Sequence, residues 1–562
     1  MNLIVGLKDL IIKEVKTLYN VADEQLANLE FRVNAEHESQ FGDISCNVAM
    51  ILAKSVGRAP RDIAAELQNT MMASKAAELI ASITIAGPGF LNLTLTPKAW
   101  QTLVGEVYQQ KKLFFIPDQS VKRHNYLIEF VSANPTGPLH LGHGRGGIIG
   151  DTLARVLAFL GHTVSKEFYI NDAGNQIKLL GQSLKARCLQ ELGQAAVLPE
   201  EGYAGEYVVD LAKDCVQEQG EPVKDKSDQF FELYAKEQLL CRIKATLGSY
   251  GITFDTWFSE KTLHDSGAID KVIATLQSKD LAYEQDGALW FRSTHFGDDK
   301  DRVIRKANGE LTYIAADIAY HKDKFDRGYD TLINILGHDH HGYVKRLQGT
   351  MQALGFGADR LQVILYNLVK IKKGDEFVRM SKRAGNFTEL AEVIDTVGVD
   401  VARFFYLNRK TEAPLEFDID TALKKTDENP VYYIQYAYVR LNSIFAKARQ
   451  EDFGQWVDQL FGGQVTVEAM MPHMGNEELA LIKKVVALQD TLAAIAASYQ
   501  THLLSYYALE LAQKLHTYYT RNKVIDANQA EISRVRLFAV FMVHQTLDVT
   551  LELLGLQKPE KM

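Results

Sequence analysis

The sequence predicts a multidomain α/β protein: a parallel-sheet core interrupted by an insertion, an α+β domain before it and an all-α helical bundle after it. Three observations predict this. Residues 126–170 read as strand, loop, helix and strand, a βαβ unit that calls for a Rossmann-like parallel sheet. Before that unit, apolar and polar residues alternate in Ile83-Thr84-Ile85 and over 90–95, behind a helical stretch. From about 425 to 562 only helical periods occur.

Taken in order, residues 1–112 form the α+β domain, with helical patterns up to Ile80 and two alternating runs parted by Gly87-Pro88-Gly89. The stretch 111–124, with Pro117 and scattered Lys and Arg, reads as a linker to a core over 120–424. The apolar run 126–131 has the length and β-branched content of a buried strand. It stops at Asn134-Pro135-Thr136-Gly137-Pro138, where two prolines and a glycine forbid regular structure. Ile149, Leu153, Val156, Leu157 and Leu160 then recur at helical spacing until Gly161, and 163–170 forms the second strand. His140, Gly142, His143 and Gly144 therefore sit at a helix N-terminus, where unpaired backbone N–H groups and the helix dipole attract phosphate. Gly142 lacks a Cβ, so a base or ribose can approach, and two imidazoles can donate N–H bonds to phosphate oxygens as charge develops.

Two other readings compete for this turn. Residues 142–147 satisfy the dinucleotide pattern G-x-G-x-x-G, and Glu167 stands roughly 20 residues on, where a ribose-binding acid is wanted. A dinucleotide loop turns directly from strand to helix, however, whereas here a proline-bearing loop intervenes. Zinc is disfavoured because no Glu lies between His140 and His143 and no Cys is near; no G-x-x-x-x-G-K-[ST] occurs. No metal ligand set is expected.

From Asn175 to about Thr294 the chain is mostly helical and charged, and reads as an insertion (about 180–294) between two halves of one nucleotide fold. The second half resumes at the turn Asn308-Gly309-Glu310, followed by 311–319, the strand 331–336, a helix over 344–354 and the strand 361–365. Ligands of such a sheet collect at the carboxyl ends of strands near the switch point. The bundle over 425–562 is carried by helical periods at 444–449, 479–497 and 503–519.

Composition narrows the classes. With 46% hydrophobic and 24% charged residues the chain of 562 is ordinary for a globular protein. A net charge of −9 counts against nonspecific nucleic-acid binding, so RNA contact must rest on local patches and DNA is not expected. No run of 18 apolar residues exists and the N-terminus is amphipathic with early acids, so neither a membrane span nor a secretion signal is expected and a cytoplasmic address follows. Cys46, Cys188, Cys215 and Cys241 show no C-x-x-C pairing and read as core residues in a reducing compartment.

Further along, Arg379-Met380-Ser381-Lys382-Arg383 is a basic loop after the last sheet strand. Alone it reads as a solvated loop; beside the first motif it can close over a triphosphate, with Lys382 stabilising charge at the α-phosphate. Glu129 and Asn134 bracket the end of the first strand, while Tyr313 and Asp317, four apart, share one helical face. A planar guanidinium wants such paired carboxylates. In Gly337-His338-Asp339-His340-His341-Gly342 three histidines invite a metal, yet neighbours on one loop rarely make a tetrahedral set. Asn171 and Asp172 end the second strand and can face the same pocket. Tyr432, Tyr433, Tyr436 and Tyr438 near Arg440, and Tyr519 near Arg521 and Lys523, can stack on bases, although aromatics at helical spacing are more often core.

His140-Leu141-Gly142-His143 resembles the HIGH motif of class I aminoacyl-tRNA synthetases. SANPTGPLHLGHGRG with YINDAGNQ (residues 169–176) resembles arginyl-tRNA synthetases in particular. FGDISCNVA and GPGFLNL are similar to that family's N-terminal domain, which touches the outer corner of the tRNA; NPVYYIQYAYVR and LLGLQKPEKM are similar to its anticodon-binding domain. The basic loop resembles KMSKS, with Arg379 for the leading lysine and Arg383 for the final serine. The resemblance implies an arginine–tRNA ligase that makes arginyl-adenylate from L-arginine and ATP and passes the arginyl group to the terminal adenosine of tRNA-Arg, with tRNA needed for activation. It implies His140, His143 and Lys382 as catalytic groups, and ATP held by His140, Gly142, His143, Gly144, Asp339, His340, Met380, Ser381 and Lys382. It implies arginine held by Glu129, Asn134, His140, Tyr313, Asp317 and His341, Mg2+ carried with ATP, and a monomer. Two alternatives share the residue pattern: a nucleotidyltransferase of the same fold acting on a small acid without RNA, and a tRNA-binding paralogue without catalysis.

Overall fold

A computed structural model describes residues 3–26, 29–34, 42–116, 122–374, 376–378 and 389–562. The chain divides into two compact units: 122–424 with 499–502, and 1–121 with 425–498 and 503–562.

The first unit is built on a five-stranded parallel sheet of β1 (Asn125–Phe130), β2 (Thr163–Ile170), β3 (Thr256–Ser259), β4 (Thr331–Gly337) and β5 (Leu361–Tyr366), in the spatial order β5-β4-β1-β2-β3. The apolar run of β1 takes the central place, with Leu127, Ile128 and Phe130 buried, because a central parallel strand is covered on both faces. Its register sets Ile128 beside Ile333 and Glu129 beside Asn334 of β4. From β1 the chain builds outward through β2 and β3 on one side, and β4 and β5 lie on the other, so the switch point falls between β1 and β4. Four helices matter for the site: α1 (Leu141–Phe159), α2 (Glu260–Asp265), α3 (Tyr313–Asp326) and α4 (Val344–Leu354).

One strand of the main sheet lies inside the stretch expected to be an insertion. β3 has four half-buried residues, too few for an alternation to register, and only its pairing with β2 (Glu167 beside Thr256) makes it a strand. Before it, the helices Asn175–Glu191, Glu206–Gln219 and Asp228–Ser249 pack around Leu180, Leu184, Val208, Leu211 and Phe231. After α2, a helix at Ala268–Ser278 and a three-stranded antiparallel sheet (Ala282–Gln285, Ala288–Phe291, Arg302–Arg305) share a core with α3.

The glycines of α1 answer the dinucleotide reading. A Cβ on Gly150 would collide with the Phe130 ring, one on Gly146 would lie 2.7 Å from the Tyr366 ring, and one on Gly144 2.5 Å from Leu390. Close packing of the helix accounts for this spacing. Glu167 is buried, and Arg327 (2.7 and 3.0 Å) and the Tyr320 hydroxyl (2.7 Å) bond its oxygens, so it is not a ribose ligand.

In the second unit the N-terminal part is a four-stranded antiparallel sheet, in the order Phe31–Val33, Ile44–Cys46, Phe90–Leu95, Ile80–Ala86. The first two strands have three residues each and carry no periodic signal. The C-terminal part is helical: α5 (Pro430–Gln450), α6 (Asn476–Ser498), α7 (His502–Arg521) and α8 (Ala530–Leu554) are its long members. α8 is long and apolar enough to cross a membrane, but most of it is buried within the unit, as the core helix of the bundle. The two parts are joined by polar contacts: the Tyr108 hydroxyl donates to Leu460 O (2.9 Å) and accepts from Val465 N (3.1 Å), and Lys483 pairs with Asp43 (2.6 Å). Part of the expected linker is anchored too, because Phe114 and Phe115 are buried.

Candidate active site

The backbone reverses at the end of β1 through Val131 (φ 68°) and Ser132 (φ 41°), both left-handed, at a cost of roughly 1–3 kcal/mol each. The Ser132 hydroxyl holds the turn: it donates to Glu129 Oε1 (2.9 Å) and accepts from Tyr169 N on β2 (3.1 Å). Asn134 is exposed in the loop beyond.

His140 caps α1. Its Nδ1 accepts from Gly142 N (3.1 Å), His143 Nδ1 accepts from His140 N (3.1 Å), and the two rings stack with centroids 3.7 Å apart. With Nδ1 accepting in both, the neutral imidazoles carry their protons on Nε2, the tautomer that a phosphate-facing donor requires. A Cβ on Gly142 would lie 3.0 Å from His140 Cε1, so this glycine makes room for the capping ring itself. The first described residues after 378 lie beside this motif: Glu389 forms a β-bridge with His140, and Leu390 N donates to Leu139 O (2.7 Å). Arg379, Met380, Ser381, Lys382 and Arg383 lie outside the described residues.

Arg145, on the same helix, was not anticipated. It is fully buried, and it donates to Asn367 O (2.8 Å), Ala413 O (2.8 Å) and Lys410 O (2.9 Å), tying α1 to the segments before Val369–Lys373 and before Leu415–Asp418. Burial lowers its pKa to about 10.

At the end of β4 the turn His338–Tyr343 exposes Asp339, His340 and His341, and the rings of His338 and His341 stack 5.4 Å apart. Asp339 and α1 share a neighbour: Tyr366, which packs against Gly146, is pushed up to about 12 by burial and by the Asp339 charge.

Of the other residues expected to bind arginine, Glu129 and Asp317 belong to an acidic cluster with Glu260. Tyr313 opens α3 and is 75% exposed, and Asp317 lies one turn on. The Tyr343 hydroxyl donates to Asp317, and Tyr169 hydrogen-bonds Glu260 at the start of α2. Burial, with the charges of Glu129 and Glu260, pushes Asp317 up to about 7 against the opposing Tyr343 bond and Lys324 charge; Glu260 is raised as well, chiefly by burial. Glu260, Tyr169 and Tyr343 escaped the sequence reading. Recognising β3 would have exposed Glu260, the residue that follows it. Glu129 is engaged on both oxygens, by Lys324 (2.5 Å) and by Ser132. Asp172 is taken up by Ser259 (2.8 Å), Lys261 N (3.1 Å) and Lys236 (3.2 Å), a structural joint.

The expected RNA-stacking tyrosines separate. Tyr438 is core, bonded to Asp548 (3.1 Å) and stacked on His544. Tyr436 and Tyr519 are 38% and 40% exposed and sandwich the Arg440 guanidinium, each centroid 4.6 Å away, while His516 accepts from Arg440 (2.9 Å).

Three family models match the chain: the arginyl-tRNA synthetase N-terminal domain over 6–95, the class I (R) tRNA synthetase catalytic domain over 104–413, and the DALR anticodon-binding domain over 434–562. The arginine–tRNA ligase of Solidesulfovibrio magneticus is 43% identical over 537 residues, 94% of this chain and 95% of the relative. That of Desulforamulus reducens is 43% identical over 544 residues, 95% and 94%. The arginyl-tRNA synthetase structure of Thermus thermophilus aligns over 100% of both chains with a TM-score of 0.75 at 21% identity, a likeness of fold. With a synthetase catalytic model over more than half its length and relatives this similar over nearly all of it, the chain belongs to the arginyl-tRNA synthetase family of class I, the arginine–tRNA ligases.

Proposed function

We propose that the chain joins L-arginine to the α-phosphate of ATP, releasing pyrophosphate, and transfers the arginyl group from AMP to the terminal adenosine of tRNA-Arg. The observation that carries this reading is the acidic cluster of Asp317 and Glu260, at the same end of the sheet as the two histidines of α1. A guanidinium fits two carboxylates through paired N–H···O bonds. Asp317 and Glu260 take that end of arginine, with Tyr313 beside them; Asn134, His140 and His341 take the α-amino and carboxylate end.

The arginine carboxylate oxygen attacks the α-phosphorus as the bond to pyrophosphate breaks. Nε2–H of His140 and His143, and the backbone at Gly142 and Gly144, meet the phosphate charge; Asp339 and His340 take ribose and base. Met380, Ser381 and Lys382 belong to ATP in this reading, with Lys382 aimed at the α-phosphate. Mg2+ comes with the nucleotide, held by phosphate oxygens. A terminal ribose hydroxyl of the tRNA then attacks the arginyl carbonyl and AMP leaves. No covalent enzyme intermediate is needed, and holding the partners in line supplies most of the rate.

The division into domains 1–112, 120–424 and 425–562 gives the tRNA three contacts: its outer corner, its acceptor end and its anticodon. The Tyr436–Arg440–Tyr519 stack suits the last, because base stacking on exposed aromatics tolerates a net negative protein. A monomer working in the cytoplasm meets all three substrates. Pyrophosphate exchange across the twenty amino acids, with and without tRNA, tests the whole: exchange with arginine alone, and only with tRNA present, is expected. Exchange with another acid in the absence of RNA would favour a plain nucleotidyltransferase, and tRNA binding without exchange a paralogue lacking catalysis.

A further inference from the structure

Beside the acidic cluster lies a buried ion pair that the reaction steps above leave unused. Glu129 and Asn334 stand opposite each other on β1 and β4, and Lys324, near the end of α3, reaches both. Its Nζ is 2.5 Å from Glu129 Oε2 and 3.4 Å from Asn334 Oδ1, and it sits 4.0 Å from the centre of the Tyr320 ring. Lys324 is 0% exposed and Glu129 6%. The network continues: Asn334 Nδ2 lies 2.7 Å from His321 Nε2, which leaves the His321 Nδ1–H to donate to Asp317 O (2.8 Å). Hydrogen bonds thus run unbroken from the strained turn at Ser132, through Glu129, Lys324, Asn334 and His321, to the backbone of Asp317. A buried network is tolerated where its members satisfy one another.

A lysine here needs a reason, since a buried ammonium is costly unless paired. The charge balance supplies one. Glu129 and Glu260 both act on Asp317, and Lys324 is a cation that acts on it from within the protein. One guanidinium brings one positive charge and pairs well with two carboxylates.

We propose that Lys324 is a positioning and specificity residue for arginine. It neutralises Glu129, so that Asp317 and Glu260 alone present charge to the substrate, and through Asn334 and His321 it fixes the backbone that carries Asp317. This rests on reading the cluster as the guanidinium site. In this arrangement Glu129 belongs to the wall behind the ligand.

The test is a rescue. Glu129→Gln strands the ammonium of Lys324 beside the cluster and should raise the arginine KM in tRNA-supported pyrophosphate exchange by about tenfold or more, with the ATP KM unmoved. Adding Lys324→Met removes the stranded charge and should bring the arginine KM back to within about threefold of the starting value, since the repulsion is gone. Deleting a second residue cannot restore a lost substrate contact. If the double variant binds arginine as poorly as Glu129→Gln, Glu129 touches the substrate and the proposed role of Lys324 is wrong. Should Glu129→Gln fail to fold, the double variant is judged by the same KM. Absence of arginine-dependent exchange in the unsubstituted chain overturns the guanidinium-site reading itself, and the proposal with it.

Discussion

Asp151 and Asp317 are both packed inside the same unit, and their surroundings are opposite. Asp151 on α1 has Arg403 at 2.7 Å, Arg155 at 2.8 Å and Lys166 at 3.5 Å. Burial alone would raise it, but Arg403 and Arg155 outweigh burial and hold it below the usual carboxylate range. Asp317 has a tyrosine hydroxyl and two acidic neighbours, and rises to about 7. A carboxylate with more cations than it needs is a joint of the fold. One whose neighbours add negative charge suits a cation from outside, and in the proposed function arginine brings it.

The largest effect that separates the two should come from Asp151→Asn. Breaking a buried pair costs about 3–5 kcal/mol, so denaturant unfolding should move by that much. A loss under about 1 kcal/mol would mean that the three cations do not stabilise Asp151.

Asp317→Ala should act on binding with the opposite balance. Loss of charged hydrogen bonds to the guanidinium is worth about 3 kcal/mol, or a hundredfold in arginine KM, read by exchange kinetics with ATP KM as the control. Its melting temperature above pH 7 should hold or rise, because a carboxylate whose folded pKa is raised weakens the fold once ionised. A melting temperature that drops as for Asp151→Asn would make Asp317 a joint as well.

Acidity gives a finer contrast. The folded pKa of Asp317, about 7, lies above its ordinary 3.8, so its contribution to ligand-free stability is present at low pH and is lost as pH rises from about 4 through 7. Asp151, lowered, contributes above its ordinary pKa and loses that stability as pH falls through the folded value. Arginine binding to ionised Asp317 must therefore expel a proton below pH 7, and affinity should weaken by up to about tenfold per unit of acidification. Calorimetry at pH 6 and pH 8 in buffers of different ionisation heat reads this directly. Equal affinity at both values contradicts it, and Asp317→Asn should abolish the dependence.

Smallest of all, Tyr436→Ala should leave arginine KM alone and raise the tRNA KM by about tenfold, the worth of one stacked base. A change in arginine KM of that size would mean that the two units are coupled.

Much of the catalytic half was legible beforehand because its signals are local. β1, the proline-bearing loop, the cap at His140 and the strand 163–170 each follow from residues within a turn or two of one another. What failed to register was short or depended on distant partners. β3 has four residues, and missing it hid Glu260; Lys324 reads as any exposed lysine of an amphipathic helix, yet it is buried. Tyr436 and Tyr438 stand two apart on α5, one on the surface and one in the core, which spacing alone could not decide.

By itself the sequence determined most of the order of elements in the catalytic half, the capped turn at His140 and the family, since caps, periods and motifs are written within a few consecutive residues. Only the tertiary structure decided which acids are paired with cations and which are crowded by other acids. Charge balance depends on neighbours through space, and Glu129 meets Lys324 across 195 positions of chain.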